Sequence, residues 1–140
     1  MSIREDKDIY LIKIAKLVAT RSTCPRKSVG CIITNSHGHI KATGYNGTPK
    51  NYQHCSDDNC VKNKSSCLAI HAEQNALLQC TDVMDIHTIY VTMSPCEVCA
   101  KMIANTSCVK LVYLDEYRDS SGLNILRKIG LEVKRVRVED

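Results

Sequence analysis

The sequence predicts an α/β domain: one mixed five-stranded sheet with helices on both faces, a three-layer α/β/α arrangement. Three observations predict it. The chain has 140 residues, one domain's worth. Two short β-rich runs flank a turn cluster early in the chain and read as a hairpin. After them, strand patterns alternate with helical ones, which places neighbouring strands parallel with crossover helices between them.

The segment from about Ile3 to Arg21 carries Ile9, Ile12 and Leu17 at helical spacing. Val29 to Thr34 and Ile40 to Tyr45 read as strands, joined by the turn Asn35-Ser36-His37-Gly38. From about Asn46 to Ser66 the chain is polar, bears cysteines and shows no periodicity. That is long for a structureless loop and points to a functional or metal-braced segment. His71 to Cys80 reads as a helix, Thr88 to Met93 as a buried strand, and Pro95 to Asn105 as a helix with proline in its first turn. Val109 to Leu114 is a further strand. Ser120 to Ile129 is a helix capped by Gly130, and Leu131 to Val138 alternates as an edge strand does. The reading is a single domain over 1–140, with 46–70 as a zinc-braced loop insertion.

Leu, Ile and Val number 34, and there are six Tyr but no Phe or Trp. The core is therefore expected to be aliphatic, filled out with Ala, Met and Cys. No stretch approaches the roughly 18 apolar residues of a membrane span. The charged residues Met1 to Tyr10 do not resemble a signal peptide. A soluble, cytoplasmic chain with reduced thiols is expected. Its nine cysteines, an odd number, cannot all pair within the chain. They read as metal ligands, catalytic groups or core fillers. The formal charge of +4 and the cluster Lys134, Arg135 and Arg137 suit an anionic small molecule, or equally an ordinary solvated surface.

The sharpest signal is His71-Ala72-Glu73, followed 25 positions after the histidine by Cys96-Glu97-Val98-Cys99, with Pro95 just before. Either half alone is weak. Together they supply one nitrogen and two sulfurs, three good zinc ligands, and a carboxylate that is not a ligand. Cys96 and Cys99 are three apart at a helix start, so both sulfurs face one way. Two helix N-termini would aim their positive ends at the site, favouring thiolates and a developing oxyanion. Three protein ligands leave a fourth position for water, whose pKa zinc lowers to about 7. Glu73 can take that proton and pass it on.

The signature resembles that of zinc nucleobase deaminases. The wider set of motifs is similar to the deoxycytidylate (dCMP) deaminases in particular. These are Arg21-Ser22-Thr23-Cys24-Pro25-Arg26, Gly44-Tyr45-Asn46-Gly47-Thr48-Pro49, His71-Ala72-Glu73-Gln74-Asn75-Ala76, Ser94-Pro95-Cys96-Glu97-Val98-Cys99-Ala100-Lys101 and Glu116-Tyr117-Arg118-Asp119. The resemblance covers nearly the whole chain and implies a cytidine-deaminase-like fold. The implied reaction is hydrolysis of dCMP to dUMP and ammonia by a zinc-activated water, with Glu73 as proton shuttle, supplying dUMP for thymidylate synthesis. His71, Cys96 and Cys99 would hold zinc. The Ala72 amide would bind the base carbonyl and the Ser94 carbonyl the exocyclic amine.

Arg26 is the candidate cation for the phosphate, with an exposed surface arginine as the plain alternative. Asn46 suits the sugar or phosphate, and Tyr117 would close over the nucleotide or pack at the sheet edge. The resemblance also implies a homohexamer activated by dCTP with magnesium and inhibited by dTTP. Gly44, Tyr45, Asn46 and Gly47 would contribute to that regulatory site, or form a simple loop after a strand. Cys24, Cys55, Cys60 and Cys67 are candidates for a second, structural zinc, the alternative being unligated thiols. Cys31, Cys80 and Cys108 read as small core hydrophobes.

The competing readings are a deaminase that also takes dCTP or cytidine nucleosides, and a non-catalytic zinc module. A module would have a closed four-ligand site and no use for Glu73. A polynucleotide substrate is disfavoured, because such sites stack bases on aromatics beside a basic groove.

Overall fold

The computed structural model describes residues 3–55 and 67–139. Helix α1 (Lys7–Ala19) precedes strands β1 (Gly30–Thr34) and β2 (Ile40–Tyr45). Helix α2 (Ala72–Gln79), a short 3-10 turn (Val83–Asp85), strand β3 (Thr88–Met93) and helix α3 (Glu97–Ala104) follow. Strand β4 (Lys110–Asp115), helix α4 (Ser121–Lys128) and strand β5 (Glu132–Arg135) complete the order. The predicted sequence of elements is present; the 3-10 turn is the addition. Among the described residues no helix is long and apolar enough to cross a membrane.

The sheet runs β2-β1-β3-β4-β5. β1 is antiparallel to both β2 and β3, while β3, β4 and β5 are parallel. The hairpin turn is built as its residues predict. The Asn35 Oδ1 accepts from the His37 and His39 amides, both at 3.0 Å, and Gly38 takes the positive φ of +80°. Every residue of β1 is buried, as are the first five of β3, because helices cover both faces of the inner strands. The edge strands β2 and β5 keep exposed positions.

On one face α1 packs Leu11, Ile12 and Ala15 against Ile32, Tyr90, Val112 and Val136. The other face carries Ala76 of α2, Ala100 and Ile103 of α3, and Leu123 and Leu126 of α4, over Ile33, Ile89, Val91 and Leu111. Two sequence expectations change here. Leu17 is 70% exposed, since the buried stripe of α1 runs through Leu11, Ile12, Ala15 and Ala19. Methionine does little core filling: Met84 and Met102 are exposed, and the buried aromatic surface comes from Tyr90 and Tyr113.

Asp8 ties α1 to the sheet. Its carboxylate accepts from the Tyr90 hydroxyl at 2.9 Å on β3, from Lys110 Nζ at 2.9 Å on β4 and from Lys134 Nζ at 2.7 Å on β5. Lys134 thus serves the fold. Arg135 donates from Nε to the Leu114 carbonyl and stacks 6.0 Å from the Tyr113 ring centre. Two of the three residues of the late basic cluster are therefore engaged within the domain.

Burial raises the Asp8 pKa, but the hydrogen bonds from Lys134, Lys110 and Tyr90 outweigh it and hold the carboxyl at about 2. A carboxyl held below its usual unfolded value of about 3.9 stabilises the fold above that pH, and loses the effect as pH falls toward 2. Solvent screens part of it at the half-exposed Lys134, leaving about 1–2 kcal/mol. Asp8→Asn is expected to lower Tm by roughly 5 °C at pH 7 and to lose most of that difference at about pH 2. Thermal melts at both pH values test this; a variant as stable as the parent at pH 7 would contradict it.

Candidate active site

Four strand ends meet at one end of the sheet. β3 ends at Met93, opposite Asp115 at the end of β4. The antiparallel β1 begins here, with the Gly30 amide donating to Thr92 Oγ1 at 3.1 Å, and β2 ends here at Tyr45, opposite Gly30. Helices α2 and α3 start at this end. α2 is seated by paired backbone bonds between Gly47 and Ile70, 3.1 and 2.7 Å long, and by Asn75 Nδ2 donating to the Tyr45 carbonyl at 2.8 Å. Gly44 permits that seating, because a Cβ there would overlap the Ala72 carbonyl and the Ala76 amide. Gly122 likewise lets α4 lie against the Pro95 and Cys96 carbonyls.

His71 and Cys96 are the N-caps of α2 and α3, both with extended backbone. The sequence placed them, with Pro95, inside the first helical turn; in the structure Pro95 precedes the cap. The cap position folds each side chain back over its helix end. His71 Nδ1 lies 3.3 Å from Cys99 Sγ and 3.5 Å from Cys96 Sγ, and the ligand atoms of the three residues are all within 4.8 Å of one another. The Cys99 amide also donates to Cys96 Sγ at 3.5 Å.

The Cys99 thiol hydrogen-bonds to Cys96 and draws its pKa down to about 4, while that same bond, with burial, holds Cys99 well above the ordinary thiol range. A cation placed among the three atoms favours the thiolate on both. One imidazole nitrogen and two sulfurs, gathered at two helix N-termini, are a donor set that suits zinc. Among the described residues this is the one group of three or more potential metal ligands. Cys24, Cys55 and Cys67 form no second such group among the described residues, and Cys60 lies outside them.

Glu73 lies just past the histidine, in the first turn of α2, and is only 5% exposed. Burial pushes its carboxyl up to about 7, against the pull of its own backbone amide and of His71. A carboxyl poised there both accepts and donates a proton near neutral pH. Ala72, beside it, is buried at the start of the same helix.

The other sequence candidates divide. Ser94 is buried; its amide donates to the Asp115 carbonyl at 2.9 Å, and its Oγ accepts from the Tyr117 amide at 2.7 Å. It therefore places Tyr117, which is half-buried, at this end of the sheet. The Asn46 amide is engaged with backbone: its Oδ1 accepts from Val29 at 2.9 Å and its Nδ2 donates to the Lys27 carbonyl at 2.8 Å. Asn46 thereby holds the segment that follows the exposed Arg26.

Gly44, Tyr45 and Gly47 line an open groove of about 730 Å³ with Lys50 and His54; neither the three candidate ligands nor Glu73 line it. Two threonines of that groove, Thr23 and Thr48, have buried hydroxyls with no hydrogen-bond partner among the described residues. Gln74 and Asn75 belong to the His71–Ala76 motif but carry no individual role in the sequence reading, and Gly122 lies outside its motifs. Gln74 carried a signal, being three residues after the N-cap, where a capping-box partner sits. Gly122 carried none, since its role is a contact between distant segments.

Residues 5–115 match the family model described as the cytidine and deoxycytidylate deaminase zinc-binding region. The chain is 35% identical over 143 residues to a deoxycytidylate deaminase of Saccharomyces cerevisiae, covering 95% of this chain and 46% of that protein. It thus spans about half the length of that relative. A deoxycytidylate deaminase of Mycobacterium phage D29 is 36% identical over 129 residues, covering 81% of this chain and 98% of the phage protein. The crystal structure of the dCMP deaminase from cyanophage S-TIM5, in complex with dCMP and dUMP, superposes with a TM-score of 0.82. Its identity is 33%, over 96% of this chain and all of that one. With its three-layer fold, its His-Cys-Cys group and this match over most of its length, the chain belongs to the cytidine and deoxycytidylate deaminase zinc-binding family.

Proposed function

We propose that this chain converts dCMP and water to dUMP and ammonia. The observation that carries the reading is the buried Glu73 next to His71, with Nδ1 of that histidine against both cysteine sulfurs. The likeness to a solved dCMP deaminase along the whole of that chain supports the substrate.

His71, Cys96 and Cys99 would hold zinc, which when bound acidifies a water and so supplies a nucleophile at neutral pH. Glu73 accepts the proton of the attacking water and delivers it to ring N3. A C–O bond forms at C4; Glu73 then takes the proton of the new C4 hydroxyl and passes it to the amine as the C4–N bond breaks, which leaves a C4 carbonyl and ammonia. The Ala72 amide holds the base carbonyl, and the Ser94 carbonyl accepts from the amine. Arg26 binds the phosphate on the segment that Asn46 holds, and Tyr117 closes the site on the segment that Ser94 holds. The product dUMP would serve thymidylate synthesis.

A regulatory nucleotide site is a second part of the reading. The groove beside Gly44, Tyr45, Asn46 and Gly47 has the volume and, in Lys41 and Lys50, the positive charge to take a nucleoside triphosphate with magnesium. We assign it dCTP as activator and dTTP as inhibitor, within a homohexamer.

Glu73→Gln keeps the shape of the side chain but not its proton traffic. It is expected to retain zinc at the parental stoichiometry and to lose about a thousandfold or more in kcat. A near-parental rate would refute the shuttle. Loss of cytosine absorbance on dCMP, dCTP, cytidine and single-stranded DNA tests the substrate: dCMP should be turned over well ahead of the rest, and a preference for dCTP or the nucleoside would replace this reading. Rates at several dCMP concentrations, with dTTP and with dCTP plus magnesium, test the groove. Sigmoidal kinetics that respond to both are expected, and hyperbolic kinetics untouched by either would remove the regulatory assignment.

A further inference from the structure

The histidine of the candidate metal group has a backbone held from both sides. His71 precedes a helix of only eight residues. Helices this short are marginal by themselves, and their ends fray. Fraying at this end would swing the imidazole away from the sulfurs that lie 3.3 and 3.5 Å from its Nδ1. Two bonds of the His71 backbone oppose it. The Asn75 amide donates to the His71 carbonyl at 3.0 Å, the first bond of the helix. The His71 amide donates to Gln74 Oε1 at 2.9 Å, a side-chain bond that a generic helix residue could not make. Residue 71 is exposed, so without that acceptor its amide would turn to water and the cap residue would be free to rotate about its backbone.

We propose that Gln74 is a positioning residue for metal retention: it closes the cap over the His71 amide and so keeps Nδ1 aimed at Cys96 and Cys99. It acts through the main chain of His71 and does not ligate the metal. The inference rests on His71, Cys96 and Cys99 being the zinc ligands.

The test compares zinc-loaded full-length protein with the variants Gln74→Met and Gln74→Ala, which remove the acceptor, and Gln74→Glu, which keeps it. Leu78→Gly, at a mostly exposed position of the same helix, serves as control. It weakens the helix and leaves the cap intact. Zinc transfer to a chromogenic chelator is followed at a temperature where circular dichroism shows every variant folded. Release from the Met and Ala variants should be about 10–100-fold faster than from the parent. The Glu and Leu78→Gly variants should stay within about twofold, because both keep a capping acceptor at position 74. Parental release from either acceptor-free variant overturns the inference. So does release from the Glu variant as fast as from the Met variant, or an equal effect of Leu78→Gly, which would make helix stability the cause. These results leave the ligand reading standing. A parent that binds no zinc overturns the ligand reading and the inference with it.

Discussion

The arrangement depends on a convergence: a histidine and two cysteines, 25 and 28 positions apart in sequence, must bring their ligand atoms within 4.8 Å. Neither segment does this alone. The parallel pairing of β3 with β4 and the antiparallel pairing of β1 with β3 put the end of β3, the end of β4 and the start of β1 side by side. The carboxyl ends of parallel strands are where α/β sheets present their ligand crevices. α2 and α3 then start at that same end, each offering free amides and a positive dipole. Two close approaches with no room for a Cβ, at Gly44 and Gly122, fix how near the helices come. The chemistry is thus set by the backbone first and by side chains second.

The same geometry explains how an acid survives in the interior. Glu73 is buried in the first turn of a helix, where desolvation works against its charge and the helix end favours it. The balance leaves the carboxyl near neutrality, which a proton carrier needs. Asp8 shows the opposite balance. It is also buried, but it meets two ammonium groups and a phenol and stays ionised. The two carboxylates lie at opposite ends of the sheet: Asp8 sits near Thr34, Thr88 and Lys110, at the ends of the strands remote from Ser94. The carboxylate that anchors α1 is thereby kept apart from the one that burial pushes toward protonation.

Much of this was legible in the sequence. The strands follow the β-rich runs because inner strands covered on both faces have to be continuously apolar. The candidate ligands were legible because His-x-Glu and Cys-x-x-Cys carry their donors at fixed local spacing. What was not legible is three-dimensional. Leu17 fits a helical pattern with Ile9 and Ile12, yet it falls off the face that meets the sheet, and only packing decides that face. His71 and Cys96 stand one position before the expected turn, because donors that fold back over a helix end need the extended backbone of the cap. Lys134 looked like part of a basic surface until its partner Asp8, 126 residues away, was in view. Gly122 is unremarkable in sequence, since its neighbour at Pro95 comes from another segment.

Asn46 and Ser94 show how buried polar side chains connect the site to its surroundings. Each belongs to a motif read as substrate-binding, and in each the side chain is engaged with backbone: Asn46 with Lys27 and Val29, Ser94 with Tyr117. A buried amide or hydroxyl costs free energy unless it is paired, so these two side chains favour one placement of the segments they hold. Those segments carry Arg26 and Tyr117, two of the candidate substrate-binding residues. These loops are therefore clamped by residues that directly follow the sheet strands β2 and β3. Replacing Asn46 or Ser94 would therefore release the segment that it holds. The residue types of such a motif do not by themselves separate binding a ligand from holding a loop.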